Sequence, residues 1–247
     1  MTTSLTTATA VRAEKARKVY GTGETAVLAL DSVSLSIPSG QFTAVMGPSG
    51  SGKSTLMHCM AGLDTLTAGQ VFIGDVELGG LSDRQLTQLR RDRIGFVFQA
   101  FNLLPTLSAL ENITLPMTLA GAAPDRDWLE EVIGTVGLAN RLSHRPAELS
   151  GGQQQRVAVA RALAHRPDIV FADEPTGNLD SRSGAEVLRL LRTARETLHQ
   201  AIVMVTHDPV AAGYADTAVF LADGRLVGSL ERPTAPAVLD YLKTLES

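Results

Sequence analysis

Residues 47–55 read Gly47-Pro48-Ser49-Gly50-Ser51-Gly52-Lys53-Ser54-Thr55, directly after the apolar run Phe42–Met46. Glycines without Cβ atoms let successive backbone N–H groups turn inward as an anion nest, and a helix starting at the same point adds its positive end. The spacing Gly47-x-x-x-x-Gly52-Lys53-Ser54 is that of a phosphate-binding loop between a strand and a helix. In that pattern Lys53 reaches the β- and γ-phosphates and the Ser54 hydroxyl ligates Mg²⁺. The plain alternative is a flexible Gly/Ser linker that happens to contain a lysine; the flanking strand and helix argue against it.

A second group lies at Asp168-Ile-Val-Phe-Ala-Asp173-Glu174, an apolar strand ending in carboxylates. Asp173 is placed to hold magnesium through a water, and Glu174 to orient or deprotonate an attacking water. Acidic residues also end strands merely to meet solvent. Together the two groups specify a nucleotide hydrolase or kinase and no more.

The elements that must carry these residues are legible in outline. Short β-branched or aromatic runs recur at 33–37, 42–46, 71–73, 94–98, 169–172, 202–206 and 217–221, several separated by helix-like stretches, which predicts an α/β core. Across residues 181–198, Val187, Leu190, Leu191, Ala194 and Leu198 fall at helical spacing. Between Gln99 and Leu149 the prolines at 105, 116, 124 and 146 divide a segment with helices expected near 108–115 and 125–136 and no strong strand. We read it as a helical insertion. A strand and a short helix are expected after Gly224.

Residues 149–156, Leu-Ser-Gly-Gly-Gln-Gln-Gln-Arg, decide between the nucleotide enzymes. With the loop, Ala-Asp-Glu-Pro-Thr-Gly-Asn-Leu-Asp at 172–180 and Thr-His-Asp at 206–208, the chain strongly resembles the ATP-binding cassette (ABC) family, as the ATPase subunit of a transporter, from about Tyr20 to Gly224. The resemblance implies a P-loop NTPase core with a β-rich N-terminal portion and an inserted helical subdomain. It divides the chain into a core at 11–98 and 150–224, a helical subdomain at 99–149 and a C-terminal strand and helix at 225–247, after a tail at 1–10.

Further roles follow from the resemblance where residues match. Tyr20 stands where the family places an aromatic on adenine, although a strand-end tyrosine also serves packing. Gln99 corresponds to the metal-sensing glutamine. Ser150, Gly151, Gly152 and Gln153 match the signature that contacts ATP held by an opposite subunit. Asp180 resembles the cross-interface aspartate, and His207 the histidine on the γ-phosphate. The implied catalytic set is Glu174, His207, Lys53 and Asp180; the implied metal ligands are Ser54, Gln99 and Asp173, with ATP as substrate.

A signature that reads a neighbour's ATP implies a homodimer around two ATP molecules, and its motion implies a separate permease. The stretch Gln99–Leu107 with the following Ser-Ala-Leu-Glu-Asn-Ile-Thr-Leu-Pro resembles the ATPases of macrolide exporters and lipoprotein-releasing complexes. Phe101 and Leu104 are the expected permease contact, their alternative being the domain's own core. A non-transport ATPase controlling a division or envelope-remodelling complex would use the same motifs.

Composition fits this frame. The 247 residues are 44% hydrophobic with a formal charge of −4, which supplies no footprint for nonspecific nucleic-acid binding. The single cysteine, Cys59, forms no internal disulfide and fits a reducing cytoplasm. The opening Met-Thr-Thr-Ser-Leu-Thr-Thr-Ala-Thr-Ala has neither a basic nor an apolar signal region and is expected to be a disordered tail. No apolar run approaches the ~20 residues that span a bilayer, so the expected place is the cytoplasmic face of the membrane, held through the permease.

Overall fold

The computed structural model describes residues 8–245. The chain opens on two long antiparallel strands, β1 (Thr9–Tyr20) and β2 (Val27–Pro38). β1 begins inside the segment expected as a tail, because Ala8 and Ala10 are fastened by backbone bonds: Ser39 N–H donates to the Ala8 carbonyl at 2.7 Å and Gly74 N–H to the Ala10 carbonyl at 2.9 Å. Residues 1–7 of that expectation lie outside the described residues.

The order then runs β3 (Phe42–Met46), α1 (Lys53–Met60), β4 (Ala68–Ile73), β5 (Val76–Glu77), α2 (Asp83–Arg93), β6 (Ile94–Phe98), α3 (Ala109–Leu119), α4 (Arg126–Val136) and α5 (Gly151–Leu163). It ends with β7 (Ile169–Asp173), α6 (Ser181–Thr197), β8 (Ala201–Val205), a single turn α7 (Pro209–Ala212), β9 (Thr217–Ala222), β10 (Arg225–Glu231) and α8 (Ala235–Leu245). β1, β2, β4 and β5 form an antiparallel sheet in the order β2-β1-β4-β5. The larger sheet runs β10-β9-β3-β8-β7-β6, parallel except for the β9–β10 hairpin.

The large sheet is covered on both faces, so its inner strands are apolar almost without interruption. β3 and β8 are buried at every residue. The two-residue period sends alternate side chains into separate cores. Val45, Phe171 and Val203 pack with α1 and the antiparallel sheet, whereas Ala44, Val170 and Met204 pack with α3 to α6 and α8. Phe171 is fully buried; truncating such a side chain to alanine costs about 3–5 kcal/mol.

Between β6 and α5 the segment is helical. Ser108 opens α3 with a capping box to Glu111, and the Asp125 carboxylate caps α4 on Trp128 N–H. α3 runs through Pro116 to Leu119, beyond the end expected near 115; the ring takes away the N–H that residue 116 would have donated to the Asn112 carbonyl, and the helix continues past it. Asn112 is fully buried and holds the loop before α3 by its side chain. Its Oδ1 accepts from Leu104 N–H (2.8 Å), and its Nδ2 donates to the carbonyls of Leu104 (3.1 Å), Leu107 (3.2 Å) and Ser108 (2.9 Å).

Candidate active site

The residues singled out for chemistry leave the C-terminal ends of four adjacent parallel strands: Gly47–Thr55 from β3, His207 from β8, Asp173 and Glu174 from β7, and Gln99 from β6. Ligands of open parallel sheets bind at this edge. The loop from β3 is folded tightly against its surroundings. Gly47 has φ 145°, and a Cβ there would lie 2.0 Å from the Leu221 carbonyl oxygen; at Gly52, with φ 100°, it would lie 2.4 Å from that of Ala29. Pro48 is half-buried, Ser49 and Gly50 form the exposed crown, and Ser51 is buried beneath it.

Lys53 is the first residue of α1. Its ammonium donates to the carbonyls of Gly47 (2.9 Å) and Pro48 (2.7 Å) and approaches Ser51 Oγ at 3.5 Å. Burial lowers its pKa, against an opposing pull from the Glu174 charge. Among the described residues every hydrogen bond of the cation goes to a neutral acceptor, which an anion would outcompete.

Asp173 ends β7 half-buried. Burial raises its pKa; His58 opposes that shift and Glu174 adds to it. Among the described residues its carboxylate receives no hydrogen bond. The Ser54 hydroxyl, exposed at the start of α1, likewise has no partner there. A half-buried carboxylate without a donor and a hydroxyl without a partner, at the ends of two strands of one sheet, offer the hard-oxygen chemistry that suits Mg²⁺, which needs few protein ligands.

Glu174 sits at φ 43°, a left-handed conformation that is costly for a side chain of this kind. Its Oε1 accepts the His207 backbone N–H at 3.1 Å and lies 2.7 Å from His207 Nδ1, and its Oε2 accepts from the Thr206 hydroxyl at 3.3 Å. Gln99 pairs twice with Asn178: Gln99 Nε2 donates to Oδ1, and Asn178 Nδ2 donates to the Gln99 carbonyl, both at 3.1 Å.

Ser150 caps α5 and forms a capping box with Gln153. Asp180 caps α6 by accepting from Arg182 and Ser183 N–H at 3.0 Å each; the Ser183 bond contributes most to holding its pKa low. Gly151 lies against Leu179 and Phe101, and Gly152 against Ser183, so this segment and Asp180 share one neighbourhood. No hydrogen bond links residues 150–153 or Asp180 to residues 47–55 among the described residues. Tyr20, at the end of β1, donates from its hydroxyl to Asp64 Oδ2 at 2.7 Å, and the Lys18 ammonium stands 4.7 Å from its ring centroid.

Three contributors escaped the sequence analysis: Thr206, the partner of Glu174; Asn178, the partner of Gln99; and Gln155, whose amide lies between β6 and β7. Thr206 and Asn178 lie inside the quoted stretches 206–208 and 172–180, where they were given no role of their own. Gln155 lies inside the quoted stretch 149–156, and nothing in the sequence tells its role from that of the two glutamines before it.

Residues 30–177 match the family model described as ABC transporter. The chain belongs to the ABC transporter family. It is 49% identical to the macrolide export ATP-binding/permease protein MacB of Marinobacter nauticus, over 84% of this chain and 32% of that protein. To the lipoprotein-releasing system ATP-binding protein LolD of Legionella pneumophila it is 45% identical, over 86% of this chain and 95% of LolD. The ATP-binding cassette MJ0796 of Methanocaldococcus jannaschii, solved as a dimer in a post-hydrolysis state with ADP and Pi, matches with a TM-score of 0.78 and 42% identity over 90% of this chain and 98% of that one. The fold is that of an ABC ATPase, and the chain is an ABC-type ATP-binding subunit.

Proposed function

We propose that the chain hydrolyses ATP as one of two identical cassettes closed around two ATP molecules, and that it drives a separate membrane permease in export or in extraction of an envelope substrate. The observation that carries this reading is the convergence of Lys53, Glu174, His207 and Gln99 at the ends of four neighbouring parallel strands. MJ0796 supports the pairing, having been solved as a dimer. The names of MacB and LolD support a permease partner and an export or lipoprotein-release substrate.

On ATP binding the Lys53 ammonium exchanges the Gly47 and Pro48 carbonyls for β- and γ-phosphate oxygens, while the amides of residues 48–55 that face the nest cradle the phosphates. Glu174, oriented by Thr206 and His207, accepts a proton from the attacking water. Ser54, Asp173 and Gln99 would hold Mg²⁺, which supplies charge neutralisation at the β- and γ-phosphate oxygens. Tyr20 offers adenine the ring face turned away from Lys18. Ser150, Gly151, Gly152, Gln153 and Asp180, which make no hydrogen bond to their own subunit's loop among the described residues, meet the ATP of the second copy, so the site is complete only in the dimer. Product formation removes the γ-phosphate bridge and lets the halves part.

Among the described residues no helix is long and apolar enough to cross a membrane; in this reading a separate permease holds the ATPase at the cytoplasmic face. Phe101, half-buried, and Leu104, 46% exposed, form the proposed contact. Affinity capture of the tagged chain from membranes in mild detergent, with identification of the bound membrane protein and a transport assay on the reconstituted pair, tests this. A polytopic permease and vectorial substrate movement are expected. Activation of an envelope complex with no transported species would replace transport by a signalling role.

A further inference from the structure

Gln155 lies in the second turn of α5 and is fully buried. Its Nε2 donates to two backbone carbonyls, Phe98 at 3.1 Å and Pro175 at 2.7 Å. Both acceptors are carbonyl oxygens, so the amide orientation is forced: the nitrogen must face them. That leaves Oε1 buried without a donor. An unpaired buried acceptor destabilises a fold and needs a reason. An apolar side chain would avoid that cost, but only a side chain with two donors on one atom joins these two carbonyls.

The carbonyls are next to the chemistry. Phe98 precedes Gln99, and Pro175 follows Glu174. Glu174 occupies a left-handed conformation, which persists only when neighbours over-determine it. On its N-terminal side the restraint is Glu174 N–H to the Val205 carbonyl at 2.9 Å, and Gly177 N–H holds its own carbonyl at 3.0 Å. The bond from Gln155 fixes the next peptide. The same amide fixes the peptide before Gln99, and its helix begins at the Ser150 cap.

We propose that Gln155 is a positioning residue of the ATPase site, one amide that sets Gln99 and Glu174 relative to each other and to the N-terminal end of α5. It acts through the backbone and touches no substrate. This rests on the roles given to Gln99 and Glu174 above, and it adds that the signature helix and the loops carrying Gln99 and Glu174 share one buried anchor point. A shift of α5 against the large sheet must break or carry along both bonds, so both loops register it together.

Gln155→Met keeps the length and removes both donors. Steady-state hydrolysis, corrected for folded fraction, is expected to lose about tenfold or more in kcat while the KM for ATP stays within about threefold, the signature of an interaction needed in the transition state. Val159→Ala, a truncation in the buried side of the same helix, serves as the control, with a lowered Tm and an unchanged kcat per folded molecule. Gln155→Glu supplies a second readout. Facing two carbonyl oxygens in a buried site, the carboxylate is repelled, but its protonated form restores one donor. Turnover of Gln155→Glu relative to the unsubstituted protein is expected to rise as pH falls.

An unchanged kcat in Gln155→Met, or a pH-independent ratio in Gln155→Glu, overturns the proposal. Insolubility of both variants overturns it as well, making Gln155 a determinant of folding alone. Failure of the underlying reading has a different appearance: full turnover in Glu174→Gln removes the base while leaving the Gln155 results to stand by themselves.

Discussion

Glu174 and His207 are joined through one carboxylate oxygen, which lies 2.7 Å from the imidazole Nδ1 and accepts the histidine's own backbone N–H at 3.1 Å. The link spans adjacent strands β7 and β8, and the His207 ring beyond it is open to solvent. The glutamate is thus oriented from the side, and among the described residues the imidazole Nε2 makes no hydrogen bond, which leaves it able to face a ligand.

Glu174→Gln preserves size but removes the base. Hydrolysis is expected to fall by roughly 10²- to 10⁴-fold. ATP still binds, so light scattering should detect an ATP-dependent dimer accumulating. Wild-type turnover would take Glu174 out of the reaction; a persistent ATP-bound monomer would dismantle the two-cassette arrangement.

Lys53→Ala removes the cation that the loop holds on the Gly47 and Pro48 carbonyls. Calorimetric titration should show most ATP affinity lost, while thermal unfolding shows the fold retained, because the amine packs against loop carbonyls and lies outside the apolar cores. Unaltered ATP binding would reject the assignment.

Leu104→Glu places a charge at the proposed permease contact. Leu104 is 46% exposed, so the isolated protein should fold and keep its basal hydrolysis, whereas permease capture and substrate-stimulated turnover weaken through desolvation of the charge. Normal assembly and coupling would move the contact elsewhere on the surface.

His165 supplies a pH dependence of stability. Its Nε2 lies 3.2 Å from the Ile94 carbonyl, its Nδ1 is buried without a partner, and burial holds its pKa below the ordinary histidine value. The unfolded chain therefore binds the proton more readily than the folded one. Stability from this group is present above the unfolded pKa and is lost as pH falls from about 6.5 towards the depressed folded value. Urea midpoints measured from pH 7.5 to 5 should drop less steeply in His165→Gln; identical slopes would exclude the group.

What the sequence made legible follows from how much each element repeats. β3 and β8 are apolar from end to end because both faces are covered, and both were read within a residue of their bounds. The amphipathic stripe of α6 was equally plain. α2 buries Leu89 alone, so no stripe marked it. In β1 the register shifts between Ala13 and Lys18 interrupt the two-residue alternation, and its first residues read as a threonine-rich tail. Motif spacing located Lys53, Asp173, Glu174 and His207. The polar residues that orient them could not be found this way, since Gln155 and Thr206 are selected by carbonyl and carboxylate positions that exist only after the strands are laid side by side.

The Asn112 side chain, binding the backbone at Leu104, Leu107 and Ser108 with four hydrogen bonds, gives that loop the mechanical character of a strut. A compliant loop pushed at its tip would bend and dissipate the displacement as local strain. This one has its carbonyls at 104, 107 and 108 tied to a single rigid amide rooted in α3, so a load applied at residue 104 is delivered to the helix axis with little lost travel.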